Sequence, residues 1–237
     1  MTPSASRRQA VFARLRTSLS DPESQRQWRV MANDGIIATA SILEGFAGAG
    51  ASHSSLLIAA TVATIAGMLA VGGAEWTEAA SERDAQLTTV AEEAAELALD
   101  PEAERAELVA HYEARGLTPE LAREVAQQMM AHDPLAAQLD SEHGIREVMS
   151  TFDTVRTGVG SALAYGVGAA IPLLITVLVP YRIEKWAIAA AVIVALIVTS
   201  VVGARTGQTS VRHTLLRTLA VGAGTMLLSY LVGLLVF

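Results

Sequence analysis

Long apolar stretches separated by polar segments divide the chain. A hydrocarbon core about 30 Å thick requires about 20 apolar residues in a helix, and five stretches come close to that length. Each is therefore predicted to be a membrane-spanning helix, which places the two termini on opposite sides of the membrane. The stretches cover residues 30–51, 55–79, 157–179, 186–203 and 213–237.

The segment between the second and third stretches is polar and acidic. Residues 82–153 hold 17 of the 24 acidic residues and five arginines, so the net charge of -7 belongs mainly to this segment. Asp100-Pro101 and Thr118-Pro119 are typical helix starts, and Gly116 is a typical stop. These signals predict helices over about 80–99, 101–115 and 118–132, followed by a poorly defined piece to about 148.

Composition assigns the class of protein. The chain is 51% hydrophobic and 17% charged, with a mean hydropathy of +0.38, which is too apolar for an ordinary soluble domain. We predict an all-α membrane protein with five transmembrane helices and a cytoplasmic three-helix acidic domain inserted between helices 2 and 3. The absence of cysteine excludes disulfides and thiolate metal sites, so any metal must be bound by oxygen, nitrogen or thioether sulfur.

The distribution of basic residues predicts the orientation. Arginine is dense before the first span and recurs between the last two, whereas the first hairpin loop has no Lys or Arg. The positive-inside rule then places the N-terminus and the acidic domain in the cytoplasm. The chain is predicted to begin with a basic cytoplasmic segment, residues 1–29, followed by a transmembrane hairpin, residues 30–79. The cytoplasmic acidic domain, residues 80–154, comes next, and transmembrane helices 3–5 occupy residues 155–237.

The glutamates of the acidic helices have a spacing that suits metal binding. Glu93 and Glu96 lie three residues apart on the first helix, and Glu104 and Glu107 lie three apart on the second. Residues three apart share a helix face, and the Asp100-Pro101 break allows the helices to fold back on each other. Four carboxylates then converge, which is the kind of oxygen ligand set that divalent cations take.

The third acidic helix adds different ligand chemistry. Met129 and Met130 offer thioethers and Asp133 offers a carboxylate, a mixture that suits Fe(II) better than Mg(II) or Ca(II). An alternative interpretation stays open: the glutamates keep solvated helices soluble, and the two methionines fill a small core. His111 lies four residues after Glu107 and is interpreted as a surface histidine.

Carboxylates inside the apolar stretches indicate a transport pathway. A charged group in a span costs about 2.5–3.5 kcal/mol on insertion scales and usually faces a protein interior. Counting inward from the predicted helix ends places Asp34 and Glu75 at one level near the cytoplasmic side, with Met68 deeper. Glu44 lies deeper still, as a proton carrier, a late metal ligand or a hydrogen-bonding group at a dimer interface. Glu78 is either part of the pathway or interfacial.

Small residues on the first helix predict close helix packing. A stripe of this kind permits a crossing between protomers, so a two-fold contact in a homodimer is predicted. The stripe consists of Ala38, Ser41, Gly45 and Gly48.

Taken together, these segments resemble the vacuolar iron transporter family. The stretch NDGIIATASILEGFAGAG, followed by AGMLAVGGAEWTEAASERD, is similar to the first hairpin of that family, whose usual forms are N-D-G-I-V-S-T and G-E-Y-V-S-x-x-S-x-R-D. The acidic insert resembles the family's metal-binding domain. The matching positions there are Glu93, Glu96, Glu104, Glu107, Met129, Met130 and Asp133, the last in place of the more usual Glu.

The resemblance implies a function. It implies a homodimer that moves Fe(II), and also Mn(II), out of the cytoplasm in exchange for protons, with the metal as substrate and no prosthetic group. In this scheme the acidic helices capture the ion, Asp34 and Glu75 receive it, and it passes Met68 and Glu44. The chain departs from the family pattern at Val71, where methionine is common, and Met68 is the nearest thioether.

Other classes of function are less consistent with the sequence. A membrane-anchored sensing or docking protein has no use for buried carboxylates in its spans. A di-iron enzyme would need Glu-x-x-His motifs, which the chain lacks, so we predict that it is not an enzyme. The acidic balance disfavours nucleic acid. A multi-pass protein of a bacterial plasma membrane is the predicted localisation.

Overall fold

The computed structural model describes residues 22–180 and 182–236. Most of the predicted basic segment, residues 1–21, therefore lies outside the described residues. All regular secondary structure in the described part of the chain is helical, which confirms the predicted all-α class. The helices are α1 Pro22–Gly48, α2 His53–Leu99, α3 Pro101–Ala114, α4 Pro119–His132, α5 Pro134–Glu142, α6 Thr151–Leu178, α7 Glu184–Thr206 and α8 Val211–Val236.

Four of these helices are long and apolar enough to cross a membrane, so the chain is an integral membrane protein. Helix α1 is not among the four, because Asn33, Asp34 and Glu44 lower its mean hydropathy. Its role as a fifth span stays a prediction. The four helices are α2, α6, α7 and α8.

Helix α2 joins two predicted elements. The second span and the first acidic helix form one continuous helix, as expected for a segment that contains no proline. The chain divides into two compact units near Glu75 and Gly158. Among the described residues, the membrane unit comprises 22–75 and those from Gly158 onward, and the acidic unit is Trp76–Thr157.

The membrane unit has a core of aliphatic side chains from α1, α2, α7 and α8. Its most buried members are at most 2% exposed and include Ile36, Leu43, Leu56, Ile188 and Leu196. Close packing of these residues fixes the positions of the polar groups that lie beside them.

Helix α1 packs closely against α8 within one chain. A Cβ added at Gly48 would lie 2.3 Å from the carbonyl oxygen of Tyr230, and one added at Gly233 would lie 2.0 Å from the carbonyl oxygen of Gly45. Only glycine permits backbones to approach so closely. The prediction that the stripe contacts a second protomer is therefore wrong for Gly45 and Gly48, since both glycines face α8.

The acidic unit contains one more helix than predicted. Asp133, read in the sequence as the end of a helix, also begins one: its Oδ1 accepts a hydrogen bond from the Ala136 N–H at 3.1 Å, and Pro134 follows it at the first helical position. The description as a three-helix domain is therefore wrong. Helices α3, α4 and α5 pack around a small core formed by Leu108, Ala126 and Ala137.

Candidate functional site

Five glutamates and one histidine come together in the acidic unit. Within each of three groups, one potential ligand atom per residue lies within 4.8 Å of the others. The four glutamates predicted from the sequence all take part. The groups are Glu93, Glu96 and Glu104; Glu104, Glu107 and Glu142; and Glu93, Glu142 and His143, and together these six residues are called the acidic cluster.

Local sequence builds the cluster. Two of its glutamates lie near the end of α2 and two near the start of α3. Between them, Asp100 Oδ1 accepts hydrogen bonds from the N–H groups of Glu102 and Ala103 at 3.2 and 3.1 Å, and Pro101 follows at the first helical position. This cap ends one helix and begins the next within a single residue. The i,i+3 pairs therefore face each other, as the spacing predicts.

Two members of the cluster are buried. Glu93 is 3% exposed and Glu104 is 7% exposed, so neither is an ordinary solvated side chain. Gln138 donates from Nε2 to Glu104 Oε2 at 2.7 Å, and His143 Nε2 lies 3.3 Å from Glu93 Oε2. Glu93 Oε1 has no hydrogen-bond partner among the described residues. A buried carboxylate oxygen without a donor is costly and is suited to a cation.

The environment favours protonated carboxyl groups in two places. Burial raises the pKa of Glu93, and the neighbouring Glu104 raises it further. Burial and the negative charges of Glu107 and Glu104 raise the pKa of Glu142. Both residues lie outside the apolar stretch of α2. A divalent cation bound here would displace protons, because it stabilises the charged form of the same oxygens.

The three remaining predicted ligands of the acidic unit have other contacts. The hydroxyl of Tyr112 donates to Met129 Sδ at 2.8 Å, and both Met129 and Met130 pack against the small core. Asp133 caps α5 and belongs to none of the three groups. Core packing of the methionines matches the alternative interpretation given above, and their role as metal ligands stays a prediction.

Two members of the cluster were not predicted. Glu142 ends α5 and His143 follows it, so both were missed together with that helix. The sequence carried a signal, since the same acid-proline pattern that begins α3 also stands at Asp133-Pro134. Gly144, with φ +67, is a typical residue after a helix end and places an acid and an imidazole directly before the turn.

In the membrane unit, two hydrogen bonds fix the register between α1 and α2. Gln27 donates from its side chain to Glu75, and the hydroxyls of Thr39 and Thr64 lie 3.4 Å apart. In an antiparallel pair these contacts place Asp34 level with residue 68. The prediction that Asp34 lies level with Glu75 is therefore wrong. It failed because α1 begins at Pro22 rather than at residue 30.

Glycines bring α6 close to the level of Asp34. A Cβ added at Gly35 would lie 2.1 Å from the carbonyl oxygen of Tyr165, and one added at Gly166 would lie 2.7 Å from Met68 Sδ. Asp34, Met68 and the nearby α6 backbone thus lie at one level and form one layer of the membrane unit. A carboxylate and a thioether form a ligand pair that suits a soft or borderline divalent ion.

The predicted pathway residues differ in exposure. Asp34 and Glu78 are exposed in the described chain, Met68 and Glu75 are half-buried, and Glu44 is 8% exposed. Glu44 lines two cavities of about 330 and 310 Å³ near the end of α1. The structure therefore does not place all five at one site.

These features define an all-helical integral membrane protein with a separate acidic helical unit whose carboxylates converge. The sequence profile of the VIT family matches residues 29–234, which is most of the chain. The chain belongs to the VIT family, which confirms the resemblance seen in the sequence.

The sequence identity to one relative agrees with this family assignment. The chain is 36% identical over 173 residues to a protein of Acanthamoeba castellanii named vacuolar iron transporter. The match covers 73% of this chain and spans 62% of the relative's length. The relative's name refers to a vacuole, so it gives no support to the bacterial plasma membrane predicted from the sequence.

Proposed function

We propose that the protein transports a divalent metal ion, Fe(II) or Mn(II), out of the cytoplasm in exchange for protons. Membership of the VIT family and the name of the relative support metal transport. The observation that carries the proposal is the acidic cluster with its two buried glutamates. In this scheme the metal is the substrate, and the chain is a transporter rather than an enzyme.

The burial of Glu93 and Glu104 supports metal capture over a solvated acidic surface. A glutamate that only confers solubility has no reason to be more than nine-tenths buried. Two buried carboxylates close to other acids repel one another unless a cation or protons neutralise them. The same burial argues against a docking module, because a partner cannot reach side chains that are 3% and 7% exposed.

The proposed pathway in the membrane unit begins at the layer that contains Asp34 and Met68. Helix α1 is not among the four helices that are apolar enough to cross a membrane. We include it as a fifth span because the proposed pathway uses its acidic residues, Asp34 and Glu44. Glu75, held by Gln27, lies closer to the start of α1 and would receive the ion before Asp34. Glu44 lies beyond this layer, towards the end of α1.

Exposure of Asp34 supports the proposed homodimer. An ionised carboxylate facing lipid costs about 2.5–3.5 kcal/mol on insertion scales. Asp34 is exposed on the described chain, and a second copy packed on this face would remove it from lipid. Two Asp34 and two Met68 side chains would then line one pathway. The orientation, with the N-terminus and the acidic unit in the cytoplasm, follows the arginine distribution.

Fe(II) uptake into proteoliposomes tests the proposed function. The full-length chain is reconstituted with an acidic lumen, and Fe(II) is added outside. We expect the wild type to accumulate Fe(II) and Asp34→Asn to lose most of that uptake. Glu113→Gln, which removes an exposed carboxylate outside the cluster, is the matched control and should transport normally. Equal uptake by Asp34→Asn and the wild type, or no uptake by the wild type, would refute the proposal.

A further inference from the structure

A second group of charged residues lies where α1 ends and α2 and α7 begin. His53 is the first residue of α2 and Glu184 is the first residue of α7. The Nδ1 atom of His53 lies 3.0 Å from Oε2 of Glu184. The side chain of Glu184 is 3% exposed, whereas that of His53 is 40% exposed. The imidazole thus connects a buried carboxylate to the surface.

Glu44 and Glu184 line the same cavity, which has a volume of about 330 Å³. Both residues are more than nine-tenths buried, at 8% and 2% exposed. The Oε1 atoms of both have no hydrogen-bond partner among the described residues. The cavity is large enough to hold several water molecules. It therefore contains two carboxylates that can each accept a proton or a cation.

The inner wall of this cavity is apolar. Leu43, Leu56 and Ile188 line it and belong to the aliphatic core, with exposures of 1%, 2% and 2%. An ionised carboxylate at such a boundary needs a counter-charge, because a low-dielectric wall replaces part of its water. The two carboxylates thus stand between a cavity large enough for water and an aliphatic region that disfavours charge.

Two basic side chains make the cavity better suited to binding a proton than a divalent metal ion. Arg182 and Lys185 line the same cavity. In the described part of the chain neither forms an ion pair within 4.0 Å of Glu44 or Glu184, and the Lys185 ammonium lies 5.5 and 5.7 Å from the ring centroids of Trp186 and Tyr230. Two positive charges repel a divalent cation more strongly than a single proton, and a proton bound to a carboxylate leaves a neutral group in place of an added ion.

We propose that His53, Glu184 and Glu44 form the proton-loading site of the transporter, on the side of the membrane at which α1 ends. The inference rests on the proposed function, in which protons are exchanged for the metal ion. A proton taken up by the imidazole leaves from Nδ1 to Glu184 Oε2, which yields a neutral imidazole and a neutral carboxylic acid. The shared cavity then permits exchange between Glu184 and Glu44.

The groups that face this site come from every element around it. His53 is on α2, Glu44 is on α1, Glu184 and Lys185 are on α7, and Arg182 lies just before α7. Tyr230 of α8 faces Glu44 and Lys185 in the neighbouring cavity of about 310 Å³. The side chain of His53 is 40% exposed and that of Glu184 is 3% exposed, so His53 suits the outer position of a proton relay.

Two kinds of flux in the same proteoliposomes test the proposal. Net Fe(II) uptake driven by a proton gradient needs proton loading, whereas exchange of external for internal Fe(II) at equal pH needs no net proton movement. We expect Glu44→Gln and Glu184→Gln to lose most of the gradient-driven uptake, and Glu184→Gln, which lies outside the predicted metal pathway, to keep metal-for-metal exchange. His53→Gln, at a more exposed position, should load protons more slowly and also keep the exchange.

The outcomes separate this inference from the proposed function. A wild type that transports no metal refutes the proposed function. If the wild type is proton-coupled and all three variants keep full coupling, the proton-loading site is wrong and the transporter assignment stands. Loss of metal-for-metal exchange together with coupling in Glu184→Gln or His53→Gln would also overturn the site, because the residues would then support the fold or bind metal. Glu113→Gln should keep both fluxes.

Discussion

Replacing Glu104 tests whether the acidic cluster binds metal. This residue belongs to two of the three groups of potential ligands and is 7% exposed. Glu104→Gln keeps the size of the side chain and a carbonyl oxygen that can accept the hydrogen bond from Gln138. It removes one negative charge and one strong oxygen ligand. We therefore expect opposite effects on the metal-free and the metal-bound protein.

The size of the metal-free effect follows from the distances. Two unit charges 4.8 Å apart repel by about 1 kcal/mol in water and by about 3 kcal/mol at an effective dielectric constant of about 20. Neutralising Glu104 relieves part of this repulsion. The hydrogen bond from Gln138 becomes weaker because its acceptor is then neutral, and this offsets about 1 kcal/mol of the stabilisation gained. The metal-free variant should therefore unfold at the same temperature as the wild type or slightly above it.

In the metal-bound protein, Glu104→Gln should lower the stability relative to the wild type. At a metal concentration about 100 times Kd, binding stabilises the wild type by about 2.7 kcal/mol. Loss of one ligand that weakens affinity about tenfold reduces this stabilisation by about 1.4 kcal/mol. The metal-induced rise in unfolding temperature should thus be about half that of the wild type or less.

Thermal unfolding of the full-length protein in detergent, with and without Mn(II), measures both effects. Glu113→Gln lies on the same helix, is exposed and is not part of the cluster, so it should show the full metal-induced rise. If Glu104→Gln shows the same rise as the wild type, the cluster does not bind the metal through Glu104. The solvated-helix interpretation would then be preferred.

Three further predictions concern packing, pH and the membrane layer. Gly168→Ala puts a Cβ 1.9 Å from the carbonyl oxygen of Ala32 and should destabilise the protein by about 1–3 kcal/mol in thermal unfolding, whereas Gly224→Ala meets nothing within 4 Å and should not. Burial raises the pKa of Glu93 above its usual value of 4.5, so the protonated carboxyl group stabilises the metal-free fold at low pH, and this stabilisation is lost as the pH rises. The metal-free protein should therefore unfold at a higher temperature at pH 5 than at pH 7. The reverse order would contradict this. Met68→Leu should preserve the fold but reduce Fe(II) flux, and unchanged flux would remove the thioether from the pathway.

The parts of the structure that depend on local chemistry were predictable. Asp100 and Thr118 cap α3 and α4 through their own side chains, and a proline follows each of them at the first helical position, so both starts could be read from adjacent residues. The convergence of the predicted glutamates followed from helix periodicity and one tight break. The same signal stood at Asp133-Pro134, and α5 was missed because its nine residues carry little hydrophobic periodicity.

The parts that depend on contacts between helices were not predictable from one sequence. The level of Asp34 relative to Met68 depends on where α1 begins and on its pairing with α2, and neither can be read from hydropathy. The use of Gly45 and Gly48 against α8 depends on which helix is its neighbour. His143 joins the cluster only because α5 returns it to the end of α2.

The most direct test of the account follows metal and protons together. Full-length protein is reconstituted in vesicles that carry one lumenal reporter for Fe(II) and another for pH, with protein-free vesicles as the control. The account predicts that added Fe(II) enters an acidic lumen while the lumenal pH rises in proportion, and that collapsing the pH gradient stops net uptake. Fe(II) entry with no change in lumenal pH, or no entry beyond that of protein-free vesicles, would contradict it.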